Sequence, residues 1–484
     1  MRLSSCDQVP VGLRPGYNPQ AHGMGIVHLG LGAFARAHIA AITDAALARS
    51  GGDWRILGVS LRAAAPAAAL TPQNGLYTLI ERDGSGPRAR VIGALSGALC
   101  AAGNPHPVLG AMADSSCRIV TLTVTEKAYG LDRAQHGCDP SHPAVAADLA
   151  CPERPQGVLG FIVQALRRRR AEGLPAFTVL CCDNLPENGV LLRGAVLDFA
   201  HRIDPDLARW IAAETAFPST MVDRITPAPT STTLADAAHL IGCEDFAAVE
   251  TEPFLQWVIE DNFPLDRPNW EAGGALFVAD VTPYEEMKLR MLNGSHSLLA
   301  YAGFHAGYRY VRDAMADPAL AMLVNRHLTA AAGTLGAVAG IDLGAYADKL
   351  VERFANPAIK HETYQIAMDG SEKIPQRIFA ALPAARRRGI SLRSFAFITA
   401  CWLRHASGAL HDCPPYLLRD PRSDALTHAF AGCSADEIIT ALPTLGIVPD
   451  DVLADTSFLR DTKSLLASML TQPMESVIKA EAAR

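Results

Sequence analysis

The sequence predicts an α/β fold for its first 280 residues and a mainly helical second part. Three observations predict it. A strand, a glycine turn, a helix and a second strand follow one another between residues 26 and 59; two further apolar, β-branched strands end on polar clusters; and past Asp280 the β-branched runs give way to an Ala- and Leu-rich helical pattern. The boundary falls near 280, giving domains 1–280 and 281–484. At about 150 residues per domain, 484 residues suffice for two or three domains, and a chain of this size buries roughly three quarters of its unfolded surface.

From Gly25 onward, residues 26–38 (IVHLGLGAFARAH) read as a short apolar strand, a glycine turn and a helix reaching residue 47. After Gly51-Gly52-Asp53, residues 54–59 (WRILGV) form the next strand, which completes a βαβ unit. Strands follow at 118–124 (RIVTLTV) and 177–182 (FTVLCC), ending on Thr125-Glu126-Lys127 and Asp183-Asn184. In open α/β sheets ligands sit outside the carboxyl ends of the strands, so both clusters stand where chemistry would be done. Between them, residues 157–170 read as a helix whose last turn carries the cations of the 167–170 arginine run, favourable against the helix dipole. Asn188-Gly189 opens another helix. Thr282, Pro283 and Glu285 then fit the N-cap, N1 and N3 positions of the helix that starts the second part.

Charge and cysteine usage exclude several classes. With 43 Lys+Arg against 50 Asp+Glu the net charge is -7, without the basic footprint of a nucleic-acid binder. No window of about 18 apolar residues exists, and Arg2, Cys6 and Asp7 do not open a signal peptide, so a cytoplasmic protein with no membrane partner is expected. The 11 cysteines include the adjacent Cys181-Cys182 and no Cys-x-x-Cys. Reduced structural thiols are therefore expected rather than a disulfide framework or a zinc cluster, and no metal site is assigned. The lack of a His-Glu-x-x-His motif argues in the same direction.

Gly30-x-Gly32-x-x-Ala35 fits the dinucleotide fingerprint of a Rossmann-type domain. One glycine makes the tight turn, one lets backbone approach a pyrophosphate, and a small residue packs the helix. Gly30, Gly32, Phe34, Ala35 and Arg36 make up the candidate cofactor-binding turn. The acidic residue expected at the end of the second strand, for the ribose hydroxyls, is absent; Ser60-Leu61-Arg62 stands there. Arg62 could accept a 2′-phosphate, which leaves NADP open beside NAD.

The densest constellation is residues 284–296, YEEMKLRMLNGSH. At about 100° per residue, with Lys288 at zero, His296 falls at about 80° and Asn293 at about 140°, so three polar groups share one arc. Gly294 allows close approach of another backbone or a ligand, and the arc reads as an active-site wall. Tyr284-x-x-x-Lys288 matches the Tyr and Lys spacing of short-chain dehydrogenases, but it lies far past the sheet and reads as coincidence. A lysine serves as general base if burial and neighbouring cations bring its pKa down from about 10.4 towards neutrality. Asn184 and Asn293 then offer neutral amide donors to an oxygen that gains negative charge.

With these residues assembled, the sequence resembles the polyol-specific long-chain dehydrogenases, the mannitol dehydrogenase family. The matching blocks are IVHLGLGAFARAH, TLTVTEKAYG, FTVLCCDNLPENG, FPSTMVDRITPAPT, EPFLQWVIEDNF, YEEMKLRMLNGSHSLLAYAG and RFANPAIKHETYQIAMDGSEKIPQR, in that order along residues 26–377. The resemblance implies a Rossmann-type NAD-binding domain, Lys288 as catalytic base, Asn184 and Asn293 as oxyanion-type donors, and His296 and Asp223 in the substrate pocket with Glu126 nearby. It implies no metal.

Within the family the chain is most similar to the fructuronate reductase, or D-mannonate oxidoreductase, branch. Gln365 and Met368 stand where the mannitol branch tends to carry Arg and His, while Lys373 is common to both. Two departures stand out. Ala35 replaces a usual histidine, and Glu362 stands where the mannonate branch prefers a third basic residue after Lys360 and His361, leaving a carboxylate clamp incomplete.

The resemblance implies reversible hydride transfer between NAD(H) and a small-molecule sugar acid, D-mannonate to D-fructuronate. The alternatives are an NAD(P)-dependent dehydrogenase of a neutral polyol (mannitol, arabinitol or sorbitol), a tagaturonate reductase or, from another class, a non-catalytic dinucleotide-binding sensor. A monomer or small homo-oligomer is expected.

Overall fold

The computed structural model describes residues 1–133, 135–408 and 415–484 and divides into two compact units, Met1–Val281 and Thr282–Arg484. In the first, five parallel strands lie side by side in the order Leu95–Cys100, Arg55–Ser60, Met24–Leu29, Ile119–Leu122 and Thr178–Cys181. Numbered along the chain, that is the order 3-2-1-4-5 of a doubly wound dinucleotide-binding sheet. The direction of winding reverses between Met24–Leu29 and Ile119–Leu122, so the switch point lies beside the glycine turn.

Both faces of this sheet are covered, which is why its strands read as continuous apolar runs. Val27 and Leu29 pack into one core with Phe161, Ile162 and Leu166 of the helix Val158–Ala171 and Val196 of the helix Asn188–Ile203. Ile26 and Leu180 face the other way, against Ile42 and Leu47 of the helix Ile39–Ser50. The arginine run ends its helix as the sequence indicates, but Arg169 turns inward. Its guanidinium is fully buried and donates to Pro175 O, Asp114 O and Cys117 O, tying the helix end to neighbouring loops.

Two features depart from the sequence reading. The helix after the glycine turn is broken: Ala33–Ala37 stops at His38, whose φ of -112° and ψ of -81° leave the helical region, and Ile39–Ser50 restarts after it. His38 Nε2 is bonded to Gln256 O at 2.9 Å, a distant contact that outweighs local helix propensity. The unit also holds strands that the sequence left unread. Tyr77–Asp83 and Gly86–Ile92 form a hairpin joined by Val249–Thr251, and Thr220–Asp223, Gln256–Glu260 and Leu276–Val278 form a further small sheet.

Apart from one isolated bridge between Tyr310 and Glu362, the second unit is built of helices among the described residues. The helix Gly294–His305 is buried on all sides from Gly294 to Gly303, as a central helix must be. The helix Arg393–Ala406 packs against it and against Thr456–Thr471. Among the described residues no helix is long and apolar enough to cross a membrane.

Candidate active site

The predicted residues divide between the two units. In the first, Gly30 has φ +103°, and a Cβ there would overlap Thr123 O, so glycine alone lets the turn cross the end of the neighbouring strand. The amides of Gly30 and Leu31 both donate to Val59 O, at 2.8 and 3.0 Å. Gly32 caps the helix Ala33–Ala37, and the nearest atom to a Cβ placed on it is Gly30 O at 3.8 Å. The backbone is open there, as a pyrophosphate needs in order to approach it, and the turn fits a dinucleotide. Ala35 is buried, in keeping with a packing role.

One member of the turn is placed otherwise than expected. Arg36 does not face a ligand: its side chain is buried, Nε donates to Gly32 O at 3.1 Å, and NH1 bonds Ala247 O. It braces the turn from behind. Phe34 is half-buried and stacks on His38 at 4.9 Å, shaping the helix break. Arg62 is exposed just after the strand Arg55–Ser60.

A residue that the sequence reading passed over supports the same turn. His28, fully buried in the first strand, lies 2.8 Å from Thr121 Oγ1 through Nδ1 and 2.8 Å from Thr123 Oγ1 through Nε2; the Thr123 hydroxyl in turn donates to Gly30 O at 2.9 Å. With that hydroxyl proton on Gly30 O, Thr123 accepts from His28 Nε2–H and His28 Nδ1 accepts from Thr121. Burial holds the ring neutral, its pKa lowered to about 4. A histidine inside an apolar strand was the available signal.

At the ends of the adjacent strands Ile119–Leu122 and Thr178–Cys181, Asn184 is exposed while its neighbour Asp183 turns inward. Asp183 Oδ2 accepts from Val124 N at 2.8 Å and Tyr129 OH at 2.6 Å. Burial raises the Asp183 pKa, opposed by these bonds. Asn188, fully buried, donates to Asp183 O and Thr220 O and accepts from Thr220 N, fastening the turn that carries Asn184 to the strand Thr220–Asp223. That strand ends at the predicted Asp223, which is buried. Glu126 follows Thr125, whose φ of +76° marks a tight turn; its exposed carboxylate lies 3.6 Å from Arg133.

In the second unit Lys288, Asn293 and His296 are each no more than 8% exposed. They do not lie on a regular α-helix. Between the α-helical segments Thr282–Met287 and Gly294–His305, residues Lys288–Asn293 form a π-helical turn, a wider coil often found at functional sites. Its i→i+5 pattern brings Asn293 towards the face of Lys288, closer than the 140° of an α-helix. The Asn293 carbonyl accepts from Arg377 NH1 at 3.3 Å and Ser297 Oγ at 3.2 Å; its buried Nδ2 has no partner among the described residues. Tyr284 OH donates to Ala339 O at 2.7 Å, so the Tyr-Lys spacing is structural.

The His296 ring packs on Phe354 at 4.8 Å and edge-on against His361 at 5.3 Å, and its buried Nε2 has no partner among the described residues. Burial drives its pKa well below the usual value, and His361, Arg377, Arg353 and Lys288 add their positive charge in the same direction. His361 is lowered to about 4, by burial first and by Lys373 second. Both imidazoles are neutral at pH 7.

Lys360, His361 and Lys373, the cations around the incomplete carboxylate clamp, stand in different surroundings. Lys360 is exposed while the next residue, His361, points inward. Lys373 Nζ donates to Met368 O at 2.6 Å and Ile366 O at 3.2 Å, so its ammonium is held by backbone carbonyls. Glu362 pairs with Arg309 at 2.8 Å at the surface.

Comparison with known proteins identifies the family and the fold. Residues 24–272 match the model of the mannitol dehydrogenase Rossmann domain, and residues 280–460 that of the mannitol dehydrogenase C-terminal domain. The chain is 42% identical over 467 residues to the D-mannonate oxidoreductase of Escherichia coli, covering 92% of this chain and 93% of that protein. It is 43% identical over 446 residues, 91% of each, to the uncharacterized oxidoreductase YeiQ of the same organism. The Pseudomonas fluorescens mannitol 2-dehydrogenase, solved as a ternary complex with NAD and D-mannitol, superposes with a TM-score of 0.87 at 35% identity, covering 100% of both chains. Two family models that together span most of the sequence, and relatives above 40% identity along nearly its whole length, establish that the chain belongs to the mannitol dehydrogenase family of oxidoreductases.

Proposed function

We propose that this protein is an NAD-dependent secondary-alcohol dehydrogenase that interconverts the linear sugar acid D-mannonate and D-fructuronate. The observation that carries the reading is the π turn, which holds the buried Lys288 and, on the same stretch of chain, the buried Asn293 Nδ2, an amide donor with no partner among the described residues. A buried donor left unpaired costs about 1–3 kcal/mol, and a substrate oxygen would remove that cost.

The proposed roles follow from the chemistry of each group. Lys288 takes the hydroxyl proton of the substrate as its carbon loses hydride. Asn293 and Asn184 donate to the oxygen that gains charge, and neutral donors are suited to this because they need no reorganisation as the charge develops. His296, neutral and with no partner at Nε2 among the described residues, accepts from a neighbouring substrate hydroxyl. Asp223 and Glu126 are proposed to face the same substrate. NAD, when bound over Gly30 and Gly32, supplies the hydride acceptor; no metal takes part in this reading.

The identity to D-mannonate oxidoreductase supports the sugar acid. A neutral polyol is the second reading, favoured by one observation: Lys373 is engaged with Met368 O and Ile366 O rather than left for a carboxylate. A panel of D-fructuronate, D-tagaturonate, D-fructose and the corresponding alcohols, with NAD and NADP cofactors, followed at the nicotinamide absorbance, tests both. Turnover of D-fructuronate with NADH at least about tenfold above any neutral ketose supports the proposal; a preference for D-fructose overturns it in favour of the polyol.

A further inference from the structure

The π turn has a support outside its own helix. In an α-helix the Gly294 N–H would donate to Arg290 O, four residues back; here it is shared between Leu289 O, five residues back, and Met291 O, three residues back. Arg290 O receives a different donor. His327 Nε2, from the helix Pro318–Gly333, lies 3.1 Å from it. A carbonyl only accepts, so His327 carries its proton on Nε2. Its Nδ1 is buried with no partner among the described residues, and the ring is fully buried edge-on against Phe395 at 5.4 Å. Burial lowers its pKa to about 4, which keeps the ring neutral at pH 7, and the bond to Arg290 O selects the tautomer.

Gly294 is what lets the imidazole in. A Cβ on Gly294 would overlap His327 Nε2. The glycine in the Asn293-Gly294 pair therefore admits a side chain of the same unit, rather than a ligand.

We infer that His327 is a positioning residue: its Nε2–H takes the place of the Gly294 amide on Arg290 O, holds the π turn open, and so sets the direction of Lys288 relative to Asn293 and His296. Reversion to an α-turn would rotate Lys288 by about one residue, or about 100°, against the groups that follow it. The inference rests on the reading of Lys288 as the base, but the turn itself can be tested without any substrate.

His327→Leu keeps an apolar volume and removes the donor; His327→Gln keeps an N–H. Amide hydrogen exchange across residues 288–296 of the ligand-free chain is expected to speed up at least about tenfold in His327→Leu and to stay near wild type in His327→Gln. Gly294→Ala should match His327→Leu, and the double variant should add little to either. On the substrate that the panel identifies, kcat of His327→Leu should fall about 10²-fold with KM for NADH within about threefold, and His327→Gln should recover most of it. Exchange in His327→Leu equal to wild type, or His327→Gln as defective as His327→Leu, would overturn the inference. Should wild type turn over nothing on the panel, the proposed reaction fails while the exchange result still decides the role of His327. If His327→Leu does not fold, the proton-nitrogen correlation of ¹⁵N-histidine-labelled wild type decides it, with the resonance lost in His327→Gln identifying the ring: Nε2–H is expected, and Nδ1–H contradicts it.

Discussion

Asp183 Oδ2 and the backbone N–H of Val124 are joined by a 2.8 Å hydrogen bond that ties together the carboxyl ends of two adjacent strands. Tyr129 OH, 1% exposed in its residue, donates to the same oxygen at 2.6 Å. Asp183→Ala would leave both donors without this acceptor. It is expected to cost about 2 kcal/mol in urea unfolding and to lower turnover through the loosened Asn184 turn. Stability within about 0.5 kcal/mol of wild type would show that the carboxylate does not brace these strands.

The two glycines of the fingerprint should separate fold from cofactor. Gly30→Ala forces a Cβ against Thr123 O at φ +103° and is expected to lower Tm strongly or to abolish soluble expression. Gly32→Ala meets open space and should fold normally, while NADH affinity measured by fluorescence titration drops at least about tenfold, or about 1.4 kcal/mol. Equal stability losses with unchanged NADH affinity would remove Gly32 from the cofactor turn.

Acid should destabilise the chain. His28 and His327 have folded-state pKa values lowered to about 4, below the unfolded value near 6.5. The folded state therefore binds fewer protons than the unfolded state between those limits, so this stability is present above pH 6.5 and is lost as pH falls towards 4. At full effect it amounts to about 3 kcal/mol for each ring. His361, lowered to about 4, and His405, lowered to about 3, act in the same sense. Asp148, raised to about 6 by burial, opposes them, as do the raised Asp44 and Asp183. The histidines are expected to prevail, and the urea midpoint should fall from pH 7 to pH 5. A midpoint that is flat or rises over that range contradicts the assignment of neutral buried rings.

A metal-free reaction predicts full retention of turnover after dialysis against a strong chelator. Loss of activity that returns on adding a divalent cation would reject that part of the proposal.

The glycine turn, the strand ends and the shift to helical texture were legible because each rests on local patterning: residues 26–38 carry the turn, and the polar clusters follow apolar runs directly. What escaped depends on distant partners. The π turn draws on His327, 37 residues from Arg290, and the helix break at His38 on Gln256. Neighbour pairs were also ambiguous. Asp183 and Asn184 share a polar cluster, as Lys360 and His361 share a basic one, and only the backbone direction decides which member turns inward. Arg36 read as a cofactor contact from its place in the motif, whereas its buried guanidinium serves the unit itself.

The most direct test is the turnover of Lys288→Ala in the assay in which wild type reduces D-fructuronate with NADH. NADH affinity within about threefold of wild type and a kcat lower by about 10³ are expected, within the range that general acid-base catalysis contributes. Near-wild-type turnover at neutral pH, with NADH bound normally, would contradict Lys288 as the base and with it the proposed mechanism.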